Sequence, residues 1–212
     1  MSNVNDPSPT TSRRDRRRRE TAARLGTAAM ALFETHGYEV VTMEQIAATA
    51  DVAKGTLYNY FPVKEALLAY QFQREIAAGM SELAAEMRRK RSFASRLRFL
   101  LNASAAWNMS RRAYLPYYLR FRLMEVEPAA RRAADHQHDS GTRQILEKLF
   151  RAGQQEGAVR MDLDASELAQ TFEFMCLGAT VAWLHQPKTD LTRRFEFIQD
   201  VLLLGIIVGE NA

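Results

Sequence analysis

The sequence predicts an all-α protein, and three observations support this fold class. Only 10 glycines and 6 prolines occur in 212 residues, which leaves few breaks for a fold with many strands. Apolar residues recur at three- and four-residue spacing in most segments after residue 17, which is the period of an amphipathic helix. No alternation of apolar and polar residues, the pattern of a half-buried strand, extends beyond a few residues.

Charge and cysteine content restrict the possible functional classes. Residues 13–19 (RRDRRRR) hold six arginines against one aspartate, within a formal net charge of +4. Such a segment either binds a polyanion, nucleic acid or an anionic membrane surface, or is a solvated disordered tail. The single cysteine, Cys176, excludes an internal disulfide framework and is expected to be a buried small hydrophobe.

No membrane partner is expected. The first 20 residues are polar and lack the apolar region of a signal peptide. The longest strongly apolar stretch, residues 201–209, is too short to span a bilayer. The sequence therefore predicts a cytoplasmic protein.

The first two helices have clear start and stop signals. Residues 1–16 are expected to form a disordered basic arm, and a first helix is predicted from about 17 to 36, where Gly37 ends it. Thr42 and Gln45 have the spacing of a capping box, so a second helix is predicted to begin at Met43.

A short third helix is predicted between Ala53 and Phe61, because Pro62 disfavours a helical residue before it. On a helical wheel the inward residues are Ala53, Leu57 and Phe61, and the outward residues are Gly55, Thr56, Tyr58 and Asn59. The outward face carries hydrogen-bonding groups and a glycine but no solubilising Lys/Glu pattern. The arrangement predicts a helix-turn-helix whose second helix enters the DNA major groove. A helical hairpin whose aromatic residues only pack together is the alternative.

The chemistry of this face suits DNA. Thr56, Tyr58 and Asn59 can reach base edges or phosphate oxygens, Gly55 permits close approach, and Lys54 can neutralise a phosphate. Thr42 and Lys64 stand at predicted helix starts, where backbone N–H groups favour a phosphate.

Residues 42–68, TMEQIAATADVAKGTLYNYFPVKEALL, resemble the DNA-binding segment of TetR-family transcriptional regulators. The shared pattern is T-x-x-x-I-A-x-x-A-x-V-x-x-G-x-L-Y-x-Y-F-x-x-K-E-x-L, and the preceding ALFETHGYEVVT resembles that family's first helix and turn. The resemblance covers about residues 17–68, and the rest matches only in length and helicity. It implies DNA contacts by Thr42, Lys54, Gly55, Thr56, Tyr58, Asn59, Tyr60 and Lys64, with Tyr60 and Lys64 mainly on phosphates. Val63 departs from the family, which often has a Ser, Asn or Asp cap there.

The motif itself is formally neutral, since Lys54 and Lys64 are balanced by Glu44 and Asp51 within residues 42–64. Electrostatic attraction to DNA is therefore expected largely from the arginine arm. Its central arginines, Arg16, Arg17 and Arg18, are predicted to lie along the backbone or in an adjacent minor groove.

The resemblance also implies a homodimer that reads a palindromic operator, with half-sites about 34 Å or a multiple apart. The interface is expected on two long helices at about 140–156 and 164–185. Its candidate residues are Leu146, Leu149, Phe150, Leu168, Ala179 and Trp183. The alternative is that these residues belong to the internal core.

A small-molecule effector site is predicted in the middle of the chain, where aromatic and methionine side chains are frequent. Its candidate residues are Trp107, Met109, Tyr114, Tyr117, Tyr118, Phe121, Met124, Phe172 and Met175, although most of this region should be core. The resemblance implies that an unknown effector bound here moves helix four and misaligns the two DNA-binding units.

Catalysis, a cofactor and a metal site are not expected. His136 and His138 in DHQHD are two residues apart and do not converge on one helix face, and no CxxC, Walker or catalytic-triad motif occurs. The sequence thus predicts a repressor with a DNA-binding domain at 17–62 and a ligand-sensing and dimerisation domain at 63–212. The alternative is a helical architectural or partner-binding protein with only non-specific DNA affinity.

Overall fold

The computed structural model describes residues 13–123, 142–186 and 188–206. This part of the chain contains nine α-helices and no β-strand, which confirms the predicted fold class. In chain order the helices are α1 (Arg13–His36), α2 (Met43–Thr49), α3 (Lys54–Tyr60), α4 (Lys64–Arg88), α5 (Phe93–Ser110), α6 (Leu115–Leu123), α7 (Thr142–Gln155), α8 (Ala165–His185) and α9 (Leu191–Ile206). Among these helices, none is long and apolar enough to cross a membrane.

The described residues form two compact units, one of residues 13–71 and one that begins at residue 72. The division falls inside α4, whereas the sequence places the domain boundary after Pro62. Helix α4 therefore contributes residues 64–71 to the first unit and residues 72–88 to the second.

Helix α1 begins at Arg13, so the prediction of a disordered segment is wrong for residues 13–16. Arginine is a good helix former. Asp15 places a negative charge in the first turn, where it interacts favourably with the positive end of the helix dipole. Arg16 Nε lies 3.6 Å from Glu20 Oε1, one turn further on. Residues 13–19 are exposed, so this helical segment extends beyond the core of its unit. The predicted disorder of residues 1–12 lies outside the described residues.

The connection from α1 to α2 follows the local signals in the sequence. Gly37 has φ = 86° and its N–H donates to the Phe33 carbonyl at 2.9 Å, so glycine ends α1 as predicted. The Thr42 hydroxyl accepts a hydrogen bond from Gln45 N at 3.2 Å, and Gln45 Oε1 accepts one from Thr42 N at 2.8 Å. Both halves of the predicted capping box are therefore confirmed.

The turn between α2 and α3 is built around Asp51, whose φ of 51° lies in the left-handed region. Asp51 N donates to the Ala48 carbonyl at 3.1 Å, and Val52 N donates to the Ala47 carbonyl at 3.0 Å. This is the hydrogen-bond pattern of a Schellman motif, which usually has glycine at the left-handed position. The sequence gives no sign of it because Asp is an uncommon occupant of that position.

Helix α3 is held by its apolar side. Leu57 and Phe61 are buried as predicted, and the Phe61 ring lies 5.2 Å from the Tyr70 ring between centroids. The prediction that Ala53 faces inward is wrong, because Ala53 is exposed. Ala53 is the N-cap of α3, with extended backbone angles of φ = −63° and ψ = 143°, so helical periodicity does not yet apply to it.

The core of the second unit contains a row of phenylalanines. The Phe93 and Phe150 ring centroids are 5.7 Å apart, and those of Phe150 and Phe172 are 5.9 Å apart. Helix α5 can approach α7 because residue 153 is glycine. A Cβ atom at Gly153 would lie 2.7 Å from both Phe93 Cδ2 and Val159 Cγ2, which is too close for any side chain.

The predicted dimer residues belong largely to this core, so that assignment needs correction. Helix α7 packs against α8 within one chain, and both use their apolar sides for this contact. The residues buried in the single chain are Leu146, Leu149, Phe150, Leu168 and Trp183, and Ala179 is half-buried. The alternative of an internal core applies to them, because periodicity predicts burial but not the surface that provides it.

Replacing Leu57 by alanine should lower the free energy of unfolding by about 2–5 kcal/mol, because the side chain is fully buried. Chemical denaturation of the full chain, followed by circular dichroism, measures the change. Tyr58→Ala is the matched control: its side chain is 39% exposed, and it should change stability by less than about 1 kcal/mol. Equal losses from both substitutions would show that α3 presents a different face to the core.

Candidate nucleic-acid interface and ligand cavity

The outer side of α3 carries the side chains that the sequence assigns to DNA. Gly55, Tyr58 and Asn59 are exposed, and Thr56 is half-buried beside the buried Leu57. Of the remaining predicted contacts, Thr42 and Lys54 are exposed, and Tyr60 and Lys64 are half-buried. The structure therefore places these residues in one helix-turn-helix unit, with α3 presenting its polar side outward.

Gly55 has no internal packing reason to be glycine. A Cβ atom built there would have no neighbouring atom within 4 Å, and the residue lies inside α3. Glycine in a helix interior costs about 1 kcal/mol relative to alanine. The protein itself would therefore accommodate a side chain at this position.

Lys54 is already paired with Glu44 of α2. Its Nζ lies 2.5 Å from Glu44 Oε1, and both side chains are more than half exposed. The hydrogen bond from Lys54 lowers the pKa of Glu44, and the bond to Glu44 raises the pKa of Lys54. Both groups are therefore charged at neutral pH, and a phosphate must compete with Glu44 for the lysine. The sequence did not reveal this pair, because its members lie on different helices.

Lys64 binds the protein's own backbone. Its Nζ donates to the Tyr38 carbonyl at 2.8 Å and to the Glu39 carbonyl at 3.2 Å, and lies 4.6 Å from the centre of the Tyr38 ring. The ammonium group thus ties the start of α4 to the turn after α1. Its predicted role as a phosphate contact stays a prediction, alongside this structural role.

The helical form of residues 13–19 restricts how the arginine segment can meet DNA. Arg16, Arg17 and Arg18 lie within α1, and a helix with side chains is about 10–12 Å wide. The minor groove of B-DNA is only about 6 Å wide. As a helix this segment cannot itself enter that groove, so it can lie along the phosphate backbone or reach into the groove with single arginine side chains.

The second unit contains a partly open cavity of about 330 Å³ whose walls come from α4, α5, α6, α7, α8 and α9. Its apolar lining includes Ile76, Met80, Leu83, Leu100, Leu119, Ile145, Leu177 and Phe195. This volume is within the range of small-molecule sites, about 300–1,000 Å³. The sequence does not identify the α4 residues as cavity-lining, because their spacing is equally typical of a helix that faces the core.

The predicted pocket residues agree only partly with this cavity. Trp107 and Tyr118 line it. Phe172 is instead buried in the phenylalanine row, because α8 turns it towards Phe150, and Met109 is exposed on α5. The cavity lining does not include Tyr114, Tyr117, Phe121 or Met175. Met124 lies outside the described residues.

Charged groups occupy one part of the cavity wall. Glu75 accepts hydrogen bonds from Arg111, with Nε at 2.6 Å and Nη2 at 2.5 Å. Glu173 accepts one from Arg143 Nε at 3.0 Å. Arg122 Nη1 donates to the Tyr118 hydroxyl at 3.2 Å, and its Nη2 lies 3.6 Å from Glu173 Oε1.

Cys176 also lines the cavity. Burial, assisted by the negative charge of Glu173, raises the pKa of the thiol to about 12. The thiol is therefore protonated at neutral pH and behaves as a small apolar group rather than a reactive thiolate.

No group of three His, Cys, Asp or Glu side chains that could hold a metal ion occurs in residues 13–123, 142–186 or 188–206. His136 and His138 lie outside these ranges, so nothing in the structure bears on them.

A family model described as "Bacterial regulatory proteins, tetR family" matches residues 26–70, a segment that contains the helix-turn-helix. Over 59 residues the chain is 48% identical to the HTH-type transcriptional repressor KstR of Mycobacterium tuberculosis, an alignment that covers 28% of this chain and 27% of that protein. Residues 26–70 are therefore similar to the DNA-binding segment of TetR-family regulators.

The likeness to TetR-family proteins extends beyond the helix-turn-helix. KstR of Rhodococcus jostii is 28% identical over 191 residues, which cover 87% of this chain and 84% of that repressor. The solved structure of Thermus thermophilus FadR, a TetR-family transcriptional repressor in complex with lauroyl-CoA, matches with a TM-score of 0.76 and 26% identity. It covers 89% of this chain and 96% of FadR, so the TetR-family fold includes the unit that holds the cavity.

Glu44→Gln should strengthen binding to duplex DNA of random sequence, because Lys54 then becomes available to a phosphate. The slope of log K against log salt should become steeper by about 0.9, the effect of one further neutralised phosphate. Fluorescence anisotropy between about 50 and 200 mM salt measures it. Glu34→Gln removes an exposed carboxylate from α1 and is the matched control. An unchanged slope for Glu44→Gln, or an equal change for Glu34→Gln, contradicts the competition between Glu44 and phosphate.

Proposed function

We propose that this protein is a homodimeric TetR-family repressor that binds a palindromic operator through α3 and leaves it when a small molecule fills the cavity of the second unit. The observation that carries the DNA-binding part is the outer side of α3. Polar side chains and an uncrowded glycine face outward there, directly above the buried Leu57.

In the DNA complex α3 lies in the major groove. Thr56, Tyr58 and Asn59 contact base edges or nearby phosphates, and Gly55 lets the helix backbone approach the groove wall. Lys54 leaves Glu44 for a phosphate. The arginines of α1 bind the phosphate backbone and supply most of the attraction, which is independent of sequence.

A palindromic operator requires a dimer, and an exposed apolar stripe supports one. Phe197, Val201 and Leu204 of α9 are 68%, 47% and 90% exposed and follow one another at i, i+4 and i+7, on one side of the helix. On α8, Phe174 is exposed, and one turn later Gly178 has no atom within 4 Å of a built Cβ. A second copy that packs against this stripe buries its apolar area and approaches α8 closely at the glycine. This stripe replaces the α7–α8 residues as the proposed interface.

The cavity supports response to an effector. Its α4 wall, which includes Ile76, Gly79 and Met80, lies on the helix whose first residues belong to the DNA-binding unit. A ligand releases the operator only if it binds more tightly to the conformation that cannot read both half-sites. Because FadR of T. thermophilus was solved with lauroyl-CoA, we propose that the effector carries a hydrocarbon portion.

The operator can be found by selection from a random duplex library, followed by footprinting. The selected sites should contain two inverted half-sites with centres about 34 Å or a multiple apart. Tyr58→Ala should weaken operator binding by about 1–3 kcal/mol, the usual value of one base contact, and leave non-specific binding unchanged because no charge is lost. Uniform weak binding without a selected motif would instead favour the architectural alternative.

Phe197→Glu should convert the dimer to a monomer, because it places a charge in the proposed apolar interface. Sedimentation equilibrium of the full chain measures the mass, and circular dichroism checks that the helices persist. Val40→Glu changes another exposed apolar residue, outside the α8 and α9 stripe, and should leave the dimer intact. A dimer that survives Phe197→Glu would rule out this surface as the interface.

A further inference from the structure

The cavity wall is apolar over most of its area, so its few charged groups determine which polar group a ligand can carry. Three charged side chains line the cavity: Glu75, Glu173 and Arg122. Each carboxylate has a close arginine that is not Arg122. Glu75 is bound by Arg111 at 2.5 Å, and Glu173 is bound by Arg143 at 3.0 Å.

Arg122 itself lines the cavity, and its contacts are longer than those of Arg111 and Arg143 with their carboxylates. Its one close hydrogen bond in the described structure is to the neutral Tyr118 hydroxyl, at 3.2 Å. Its distance of 3.6 Å to Glu173 exceeds the usual hydrogen-bond range of about 2.7–3.2 Å. A guanidinium group carries five N–H donors, so donors of Arg122 are available to a further acceptor.

The position of Arg122 favours binding of an anion by these available N–H donors. Its side chain is only 28% exposed and lines the cavity, where a charge is less well solvated than on the surface. A partly desolvated cation is stabilised by an anion, and a planar guanidinium matches the two oxygens of a carboxylate. The cavity therefore offers an anion site on a mainly apolar wall.

We infer that the effector of this protein is an apolar molecule with one acidic group, whose anionic oxygens bind Arg122 while its hydrocarbon portion fills the cavity. A cationic ligand would meet two carboxylates that arginines already bind. A neutral one would leave Arg122 with only its longer contact to Glu173, a carboxylate that Arg143 also binds. The inference deepens the proposed effector response, on which it rests for its regulatory meaning. The ligand chemistry itself does not depend on the operator.

Three probes of equal chain length separate the possible charges: decanoate, decanamide and decyltrimethylammonium. Isothermal titration calorimetry with the full-length protein should show that decanoate binds at least about tenfold more tightly than the other two. Equal affinity for the acid and the amide overturns the inference, as does preference for the cation or absence of binding by all three. Because this comparison uses the unmodified chain, it does not depend on any variant folding.

Substitutions then test whether Arg122 is responsible. Arg122→Gln should reduce the affinity for decanoate to that for decanamide, whereas Arg122→Lys should retain part of the preference because it keeps the charge. Arg120→Gln is the matched control, since Arg120 is exposed on the same helix and does not line the cavity. Thermal melts establish that each variant is folded. A preference for decanoate that survives in folded Arg122→Gln places the anion elsewhere and overturns the inference.

Decanoyl-CoA distinguishes a free acid from a thioester, whose negative charges lie on the distant phosphates. If decanoyl-CoA binds more tightly than decanoate and Arg122→Gln does not weaken it, the acidic group is not read by Arg122 and the inference fails. Failure of the proposed function is a separate result: the protein would select no operator from the duplex library, whatever it binds in the cavity.

Discussion

The proposed DNA-binding face depends on the burial of Leu57 beneath a helix of only seven residues. An isolated helix this short is unstable in water, because the cost of nucleation exceeds the few hydrogen bonds formed. Helix α3 exists because Leu57 and Phe61 attach it to the rest of its unit, and because the left-handed Asp51 sets the direction in which it starts. The polar residues between these anchors have no comparable role in packing. They can vary with the DNA sequence to be read while the helix stays in place.

In the proposed DNA complex, the residues that recognise the sequence and the residues that attract the phosphate backbone are separate. Within the helix-turn-helix, the two lysines are bound internally, Lys54 by Glu44 and Lys64 by the carbonyls of Tyr38 and Glu39. The arginines of residues 13–19 stand outside the core on an exposed extension of α1. A reading surface with little available positive charge has low affinity for the wrong sequence. A basic extension lengthens the time that the protein stays on DNA of any sequence. A weakly charged reading surface and a basic extension together suit a search along many non-specific sites.

Local signals in the sequence predict much of the first unit. The capping box at Thr42, the glycine turn at Gly37 and the inward Leu57 are contained in a few neighbouring residues, and all three are confirmed. Contacts between distant residues are not encoded in this way. The Lys54–Glu44 pair joins two helices, and the cavity needs side chains from six helices at once. Apolar periodicity also predicted burial of Leu149 and Trp183 correctly, but it does not distinguish a neighbouring helix of the same chain from a second copy.

Gly55 shows how stability and recognition can oppose each other in this fold. An alanine there would meet no neighbouring atom and would strengthen the helix, so nothing in the folded chain itself favours glycine. Selection of variants for thermal stability would therefore favour the substitution of Gly55 by alanine. The selected protein would melt at a higher temperature, and in the proposed DNA complex its α3 backbone would lie further from the groove wall.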